Sequence, residues 1–176
     1  MATYIALLRG VNVGGNMLRM ERLRELCGEL GAKNARTYLQ SGNVVFEAQK
    51  SASHWQQILE RKLAGESRLP VSVIVRTAAE MARVAAGNSF LKEKGIEIAR
   101  LAVTFLQQQP SKDALDALAA WKVASERFHC AGKEIYIHCP RGFADSKLYV
   151  PDKALKQRTT TRNWNTVIKL CEMSAE

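Results

Sequence analysis

The chain has 176 residues, 47% of them apolar, and 26 Lys and Arg against 17 Asp and Glu give a formal net charge of +9. That size and composition suit one globular domain or two small ones with packed cores, and no apolar run approaches the length needed to cross a bilayer. The charge favours polyanionic or phosphorylated partners, although a basic surface with no specific partner would carry the same balance.

The N-terminus lacks the basic and apolar regions of a signal peptide, because residues 1–8 pass straight into a strand pattern and then Arg9. A soluble cytoplasmic protein with no membrane partner is therefore expected. Residues 3–8 are rich in β-formers and predict a first strand. A glycine-rich loop follows, Arg9-Gly10-Val11-Asn12-Val13-Gly14-Gly15-Asn16. Met20, Leu23, Cys27 and Leu30, with Leu26 beside them, then recur at helical spacing up to Gly31.

Residues 35–40 and 44–47 read as two strands joined by Ser41-Gly42-Asn43. Ser53 with Gln56 three residues on is a capping pattern for a second helix carrying Trp55, Ile58, Leu59 and Leu63. Leu69-Pro70 breaks the chain, and residues 71–75 (VSVIV) predict a fourth strand. The first 76 residues thus read β-α-β-β-α-β, the split βαβ or ferredoxin-like order.

Thr77 and Glu80 form another capping pattern, opening a helix to about Ala86. Gly87-Asn88-Ser89 and residues 92–95 look like a linker. Residues 101–106 predict a strand, and Ser111 caps a helix carrying Leu115, Leu118 and Trp121. Residues 127–130 and 134–139 make a second hairpin, with Cys130 expected opposite Glu134. A helix after Thr161 places Trp164, Val167, Ile168 and Cys171 on one face. The second half therefore begins the same cycle. The expected fold is α+β, with duplicated ferredoxin-like units at 1–78 and 97–176, antiparallel sheets and helices on one face.

Three places invite a ligand. In the first loop, Gly10, Gly14 and Gly15 let backbone N–H groups turn towards an anion beside Arg9 and Asn12, or simply make a tight strand-to-helix turn. The loop is neither a Walker loop nor GxGxxG. The second is Thr159-Thr160-Thr161-Arg162-Asn163, where the hydroxyls suit a helix N-cap and Arg162 in a first turn would conflict with the helix dipole unless it met a phosphate or a carboxylate. From Arg141 to Leu170 there are seven basic residues and two acidic ones, Asp145 and Asp152. The third is the tip Ser41-Gly42-Asn43, which would lie beside the first loop if the strand register permits.

Cys27, Cys130, Cys139 and Cys171 have no C-x-x-C pairing and read as free thiols. His129, Cys130, His138 and Cys139 do not converge in the expected hairpin, so no metal and no cofactor is expected. No catalytic triad is legible, because His54, His129 and His138 sit in unrelated sequence contexts without a nucleophile-like neighbour.

With these segments in view, the sequence resembles the bacterial domain-of-unknown-function family numbered 1697. The resemblance rests on YIALLRGVNVGGNMLRM (4–20), RTYLQSGNVVFE (36–47), VIVRTAAEM (73–81) and TTTRNWNTVIKL (159–170). It implies a duplicated ferredoxin-like fold and no established activity. Its signature positions are Arg9, Gly10, Asn12, Gly14, Gly15, Ser41, Gly42, Asn43, Thr161, Arg162, Asn163 and Trp164. This chain departs from it at Asn16-Met17, where the family often has a lysine, and at Asn88-Ser89-Phe90, where it often has Asn-Pro-Phe.

Three functions remain open. One is a module binding an anion, a nucleotide or nucleic acid, with Arg9, Asn12, Gly14, Gly15, Ser41, Asn43, Thr160, Thr161, Arg162 and Asn163 as ligand contacts. Its strand order is also that of the RRM. Tyr4 suits the stacking position on the first strand, but Asn43, Val45 and Ala48 stand where the third strand needs aromatics. Backbone-driven binding through the basic C-terminal segment is what survives. The second function is an enzyme acting on a phosphorylated small molecule through Arg9 and Arg162. The third is a protein-interaction or structural module. Ligand identity, turnover and oligomeric state are not set by the sequence.

Overall fold

A computed structural model of the chain describes all residues except 16, 67–69, 123–124, 145 and 150. Asn16 at the end of the first loop, Leu69 of the Leu69-Pro70 break and the charge of Asp145 thus lie outside the described residues. In chain order the elements are β1 (Ala2–Arg9), α1 (Met20–Glu29), β2 (Lys33–Tyr38), β3 (Asn43–Ala48), α2 (Ala52–Ala64), β4 (Ser72–Thr77) and α3 (Ala78–Ala86). There follow β5 (Leu101–Leu106), α4 (Lys112–Trp121), β6 (Arg127–Ala131), β7 (Glu134–His138), α5 (Asp152–Leu155), β8 (Thr159–Asn163) and α6 (Trp164–Ala175). Two antiparallel four-stranded sheets result, ordered β2-β3-β1-β4 and β6-β7-β5-β8. This is the α+β, duplicated ferredoxin-like architecture expected from the sequence. The chain divides into two compact units, Met1–Ala82 with Leu170–Glu176, and Arg83–Lys169.

In the first unit the alternation of a strand sorts β1 into two sets. Tyr4, Ala6 and Leu8 join Val44, Phe46 and Ala48 of β3 and Val73 and Val75 of β4 in one core, closed by Leu23, Leu26 and Cys27 of α1 and Trp55, Leu59 and Leu63 of α2. Ile5 and Leu7, on the other face, are equally buried. The Phe46 ring lies 5.8 Å from that of Tyr4 and 4.8 Å from that of Trp55. Both neighbours send their polar tips to backbone carbonyls, Tyr4 Oη to Lys50 (2.5 Å) and Trp55 Nε1 to Gln49 (2.7 Å). Such pairing is what makes burial of these two side chains favourable. Tyr4 therefore faces the helices and offers no stacking platform. Arg36 of β2 donates to the Met173 carbonyl and pairs with Glu176, tying the last turn of α6 to the sheet edge.

Capping sets the helix starts. Thr77 N donates to Glu80 Oε2 (2.8 Å) and Glu80 N to Thr77 Oγ1 (3.1 Å), the reciprocal box expected for α3. Ser111 Oγ accepts from Ala114 N at the start of α4, also as expected. At α2 the cap is Ser51 and not Ser53, because the helix begins at Ala52 and Ser51, still extended, accepts from His54 N.

In the second unit all six residues of β5 are fully buried. Its polar member, Thr104, shares a 2.8 Å hydrogen bond with Thr161 of β8. Residues 159–163 are a strand paired with β5, where the sequence suggested a helix cap, and α6 starts only at Trp164. The short α5 was likewise not legible, and with it the cycle closes as β-α-β-β-α-β. The hairpin β6–β7 turns at Gly132-Lys133, so Cys130 stands opposite Ile135 and His138 opposite Arg127, a register different from the expected one.

Phe46→Ala should lower stability by about 3–5 kcal/mol, since it empties the centre of an aromatic cluster. Urea unfolding followed by circular dichroism reads this, and a loss below about 1 kcal/mol would mean the cluster carries little of the core.

Candidate functional site

The first loop and the β2–β3 turn do meet. Leu8 N donates to the Gly42 carbonyl (2.8 Å). Gly42 has φ +81°, and a Cβ there would stand 2.6 Å from Val11 Cγ2 and 2.8 Å from Leu8 Cβ. Gly10 is constrained in the same way, with φ +88° and the Pro70 carbonyl oxygen 2.7 Å from a would-be Cβ. Asn12, itself left-handed at φ +54°, closes the contact. Its Nδ2 donates to the carbonyls of Leu18 (3.0 Å) and Gln40 (2.6 Å), and its Oδ1 accepts from Leu18 N (2.8 Å).

Asn43 is fully buried and sends Nδ2 to the Tyr38 carbonyl (2.7 Å) and to Ser41 Oγ (3.1 Å), holding the turn at 39–42 closed. Both asparagine amides are thus engaged with the chain itself. Arg9 ends β1, half-buried and opposite Ser72. Gly14 and Gly15 are exposed with φ +56° and +82°. Around them Val13, Met17 and Leu39 are 58%, 77% and 51% exposed.

The C-terminal constellation is built into β8. Thr160, Thr161 and Arg162 are buried; Arg162 Nη1 donates to Thr160 Oγ1 (2.8 Å) and to the Thr161 carbonyl (3.0 Å). Because Arg162 lies in a strand, the conflict with a helix dipole does not arise. Asn163 is the cap of α6, its Oδ1 accepting from Thr166 N (2.9 Å). By contrast Arg141, Lys147, Lys153, Lys156 and Arg158, in the long β7–β8 connection, are exposed.

Spacing along the chain does not link residues 87–97 with the histidines, yet the fold brings Ser89 and Phe90 against them. His129 stacks on Tyr136 (4.6 Å, 7°), Ser89 Oγ lies 3.3 Å from His129 Nδ1, and Tyr136 Oη donates to the Val84 carbonyl (3.0 Å). The contact does not read as a catalytic pair, because the next backbone donors are already used: Phe90 N by Asn88 Oδ1 and Leu91 N by the Asn88 carbonyl. Burial holds the His129 imidazole below its ordinary pKa.

Thiol chemistry is disfavoured. Burial pushes Cys27 up to about 12 and Cys139 up to about 11, and it raises Cys130 and Cys171 too, so the thiolate is scarce at neutral pH. Cys130 and Cys139 pack into the core on the helix side of their sheet, while His129 and His138 line the other face with Phe90. Among the described residues no group of three metal-ligating side chains converges. A cavity of about 360 Å³ at the β2 edge is lined by Asn34, Ala35, Arg36, Glu47 and Glu176, none of them predicted from sequence.

The family described as "Protein of unknown function (DUF1697)" matches residues 1–136. Among solved structures, the conserved bacterial protein SP0830 from Streptococcus pneumoniae is similar, with a TM-score of 0.79 at 21% identity over 100% of this chain and 99% of that one. At that identity the likeness is one of fold. No curated protein matches the chain.

Asn12→Ala should cost about 1–2 kcal/mol, because it leaves the part-buried N–H and carbonyl of Leu18 without their partner and gives the Gln40 carbonyl back to water. A thermal melt measures it, and an unchanged Tm would mean that the amide is dispensable to the fold.

Proposed function

The chain belongs to the DUF1697 family, and from that premise we propose that it is a polyanion-binding module whose contact surface is the basic β7–β8 connection of the second unit. The observation that carries this reading is the uneven charge. Residues 83–169 hold 15 Lys and Arg against 8 Asp and Glu, whereas the rest of the chain holds 11 against 9. Five of the fifteen, Arg141, Lys147, Lys153, Lys156 and Arg158, are exposed in one connection.

Burial argues against the alternative surface. Stacking on a ferredoxin-like sheet needs an open face, and β1 and β5 are buried on both of theirs. Recognition by phosphate contact asks only for exposed cations and leaves the sheets closed. In this reading Asn12, Asn43, Thr161 and Asn163 serve the fold, and the contact does not call on Arg9, Gly14 or Gly15.

Binding of a fluorescent oligonucleotide should weaken steeply between about 50 and 200 mM salt. Five phosphate contacts give a log–log slope of about −3.5 for a single strand and about −4.5 for a duplex. The triple variant Lys153→Glu, Lys156→Glu, Arg158→Glu should bind at least about tenfold more weakly at fixed salt while melting as the native chain does. A slope near zero, or no binding at the lowest salt, removes the proposal.

A further inference from the structure

The connection between α3 and β5 is fastened to the second sheet by one mixed layer of charged and aromatic groups. Phe90, from the short 3-10 turn Ser89–Lys92, is buried, with the His129 ring 5.4 Å away and the His138 ring 5.7 Å away. The Arg127 guanidinium sits 5.1 Å above the Phe90 ring. The same guanidinium grips Glu93 with two nitrogens, at 3.2 and 2.8 Å, and touches His138 Nδ1 at 3.1 Å.

That last contact fixes a protonation state. An arginine has no acceptor and keeps its charge, so His138 Nδ1 must present a lone pair, and the ring is the neutral tautomer with its proton on Nε2. From this geometry we infer that residues 87–97 are held down by a proton-sensitive clasp in which His138 is the release element. Protonating His138 removes the acceptor and sets a second cation about 3 Å from Arg127. Arg127 must then choose between leaving the ring and leaving Glu93, and either movement loosens the hold on Phe90.

The charged groups facing His138 come from every side of the layer. Arg127 reaches it from β6 and opposes its protonation, while Glu93 and Glu97 reach it from the connection and favour it. Burial and Arg127 lead, and they hold the imidazole below its ordinary value. His129 shifts in the same direction: burial disfavours its cation, and the Gly87 carbonyl partly offsets this. The linkage follows. Above the unfolded histidine value of about 6.5 the closed form has its full stability, and that stability is lost as pH falls towards the depressed folded value.

The test is amide hydrogen exchange of the full chain at pH 7.5 and 5.5, corrected for the intrinsic pH dependence of exchange. Acidification should reduce the protection of residues 88–97 more than that of β5. His138→Gln, which keeps an acceptor but cannot take a proton, should keep the segment protected at both pH values. Equal protection at the two pH values in the native chain overturns the inference, as does an undiminished loss in the variant. Proton NMR of the native chain gives a readout that needs no variant: the His138 ring should titrate below the free-histidine midpoint, and a midpoint at or above it overturns the clasp.

Discussion

Each repeat is organised around a central strand that has no face left for water. Ile5, Ala6, Leu7 and Leu8 in β1 and all six residues of β5 have no accessible surface. In an open ferredoxin-like sheet one face is covered by helices and the other is available; here the second face is closed as well. This demands apolar residues at consecutive positions and so erases the in–out alternation of a half-buried strand. It also demands that a polar residue in such a strand find its partner inside, as Thr104 finds Thr161. What stays accessible lies in loops, at sheet edges and on helix exteriors.

The two repeats share a local device more than a sequence. In each, the last strand carries a buried arginine next to the residue that caps the following helix: Arg76 before Thr77 and α3, and Arg162 before Asn163 and α6. Both guanidiniums turn back onto a backbone carbonyl of their own strand, Val75 and Thr161. The match of position and contact supports duplication where residue identity has faded.

Much of this was legible in the sequence because apolar spacing and caps are local signals. The strands at 3–8 and 101–106, the Thr77–Glu80 box and the Ser111 cap all depend on residues within a few positions of one another. What escaped depends on partners far away. Thr159-Thr160-Thr161 reads as a cap because its hydroxyls are polar, and it becomes a buried strand only because β5 offers Thr104 and a free edge to pair with. Ser89 meets His129 across 40 residues, which spacing along the chain does not encode. Of the candidate site, the meeting of the first loop with the 39–42 turn hung on a strand register that the residues left open, and the commitment of Asn12 and Asn43 to backbone groups follows from their geometry alone.

The doubly buried central strand also bears on how the chain is made. The neighbours of β1 are β3 at 43–48 and β4 at 72–77, and β5 waits for β8 at 159–163. At about 5–20 residues per second, the first apolar strand spends several seconds of synthesis without its second edge partner. During that interval Tyr4-Ile5-Ala6-Leu7-Leu8 is a short, uncharged, β-prone segment, the kind that pairs with copies of itself. The closed sheet that protects the finished protein is therefore the source of its most vulnerable moment on the ribosome.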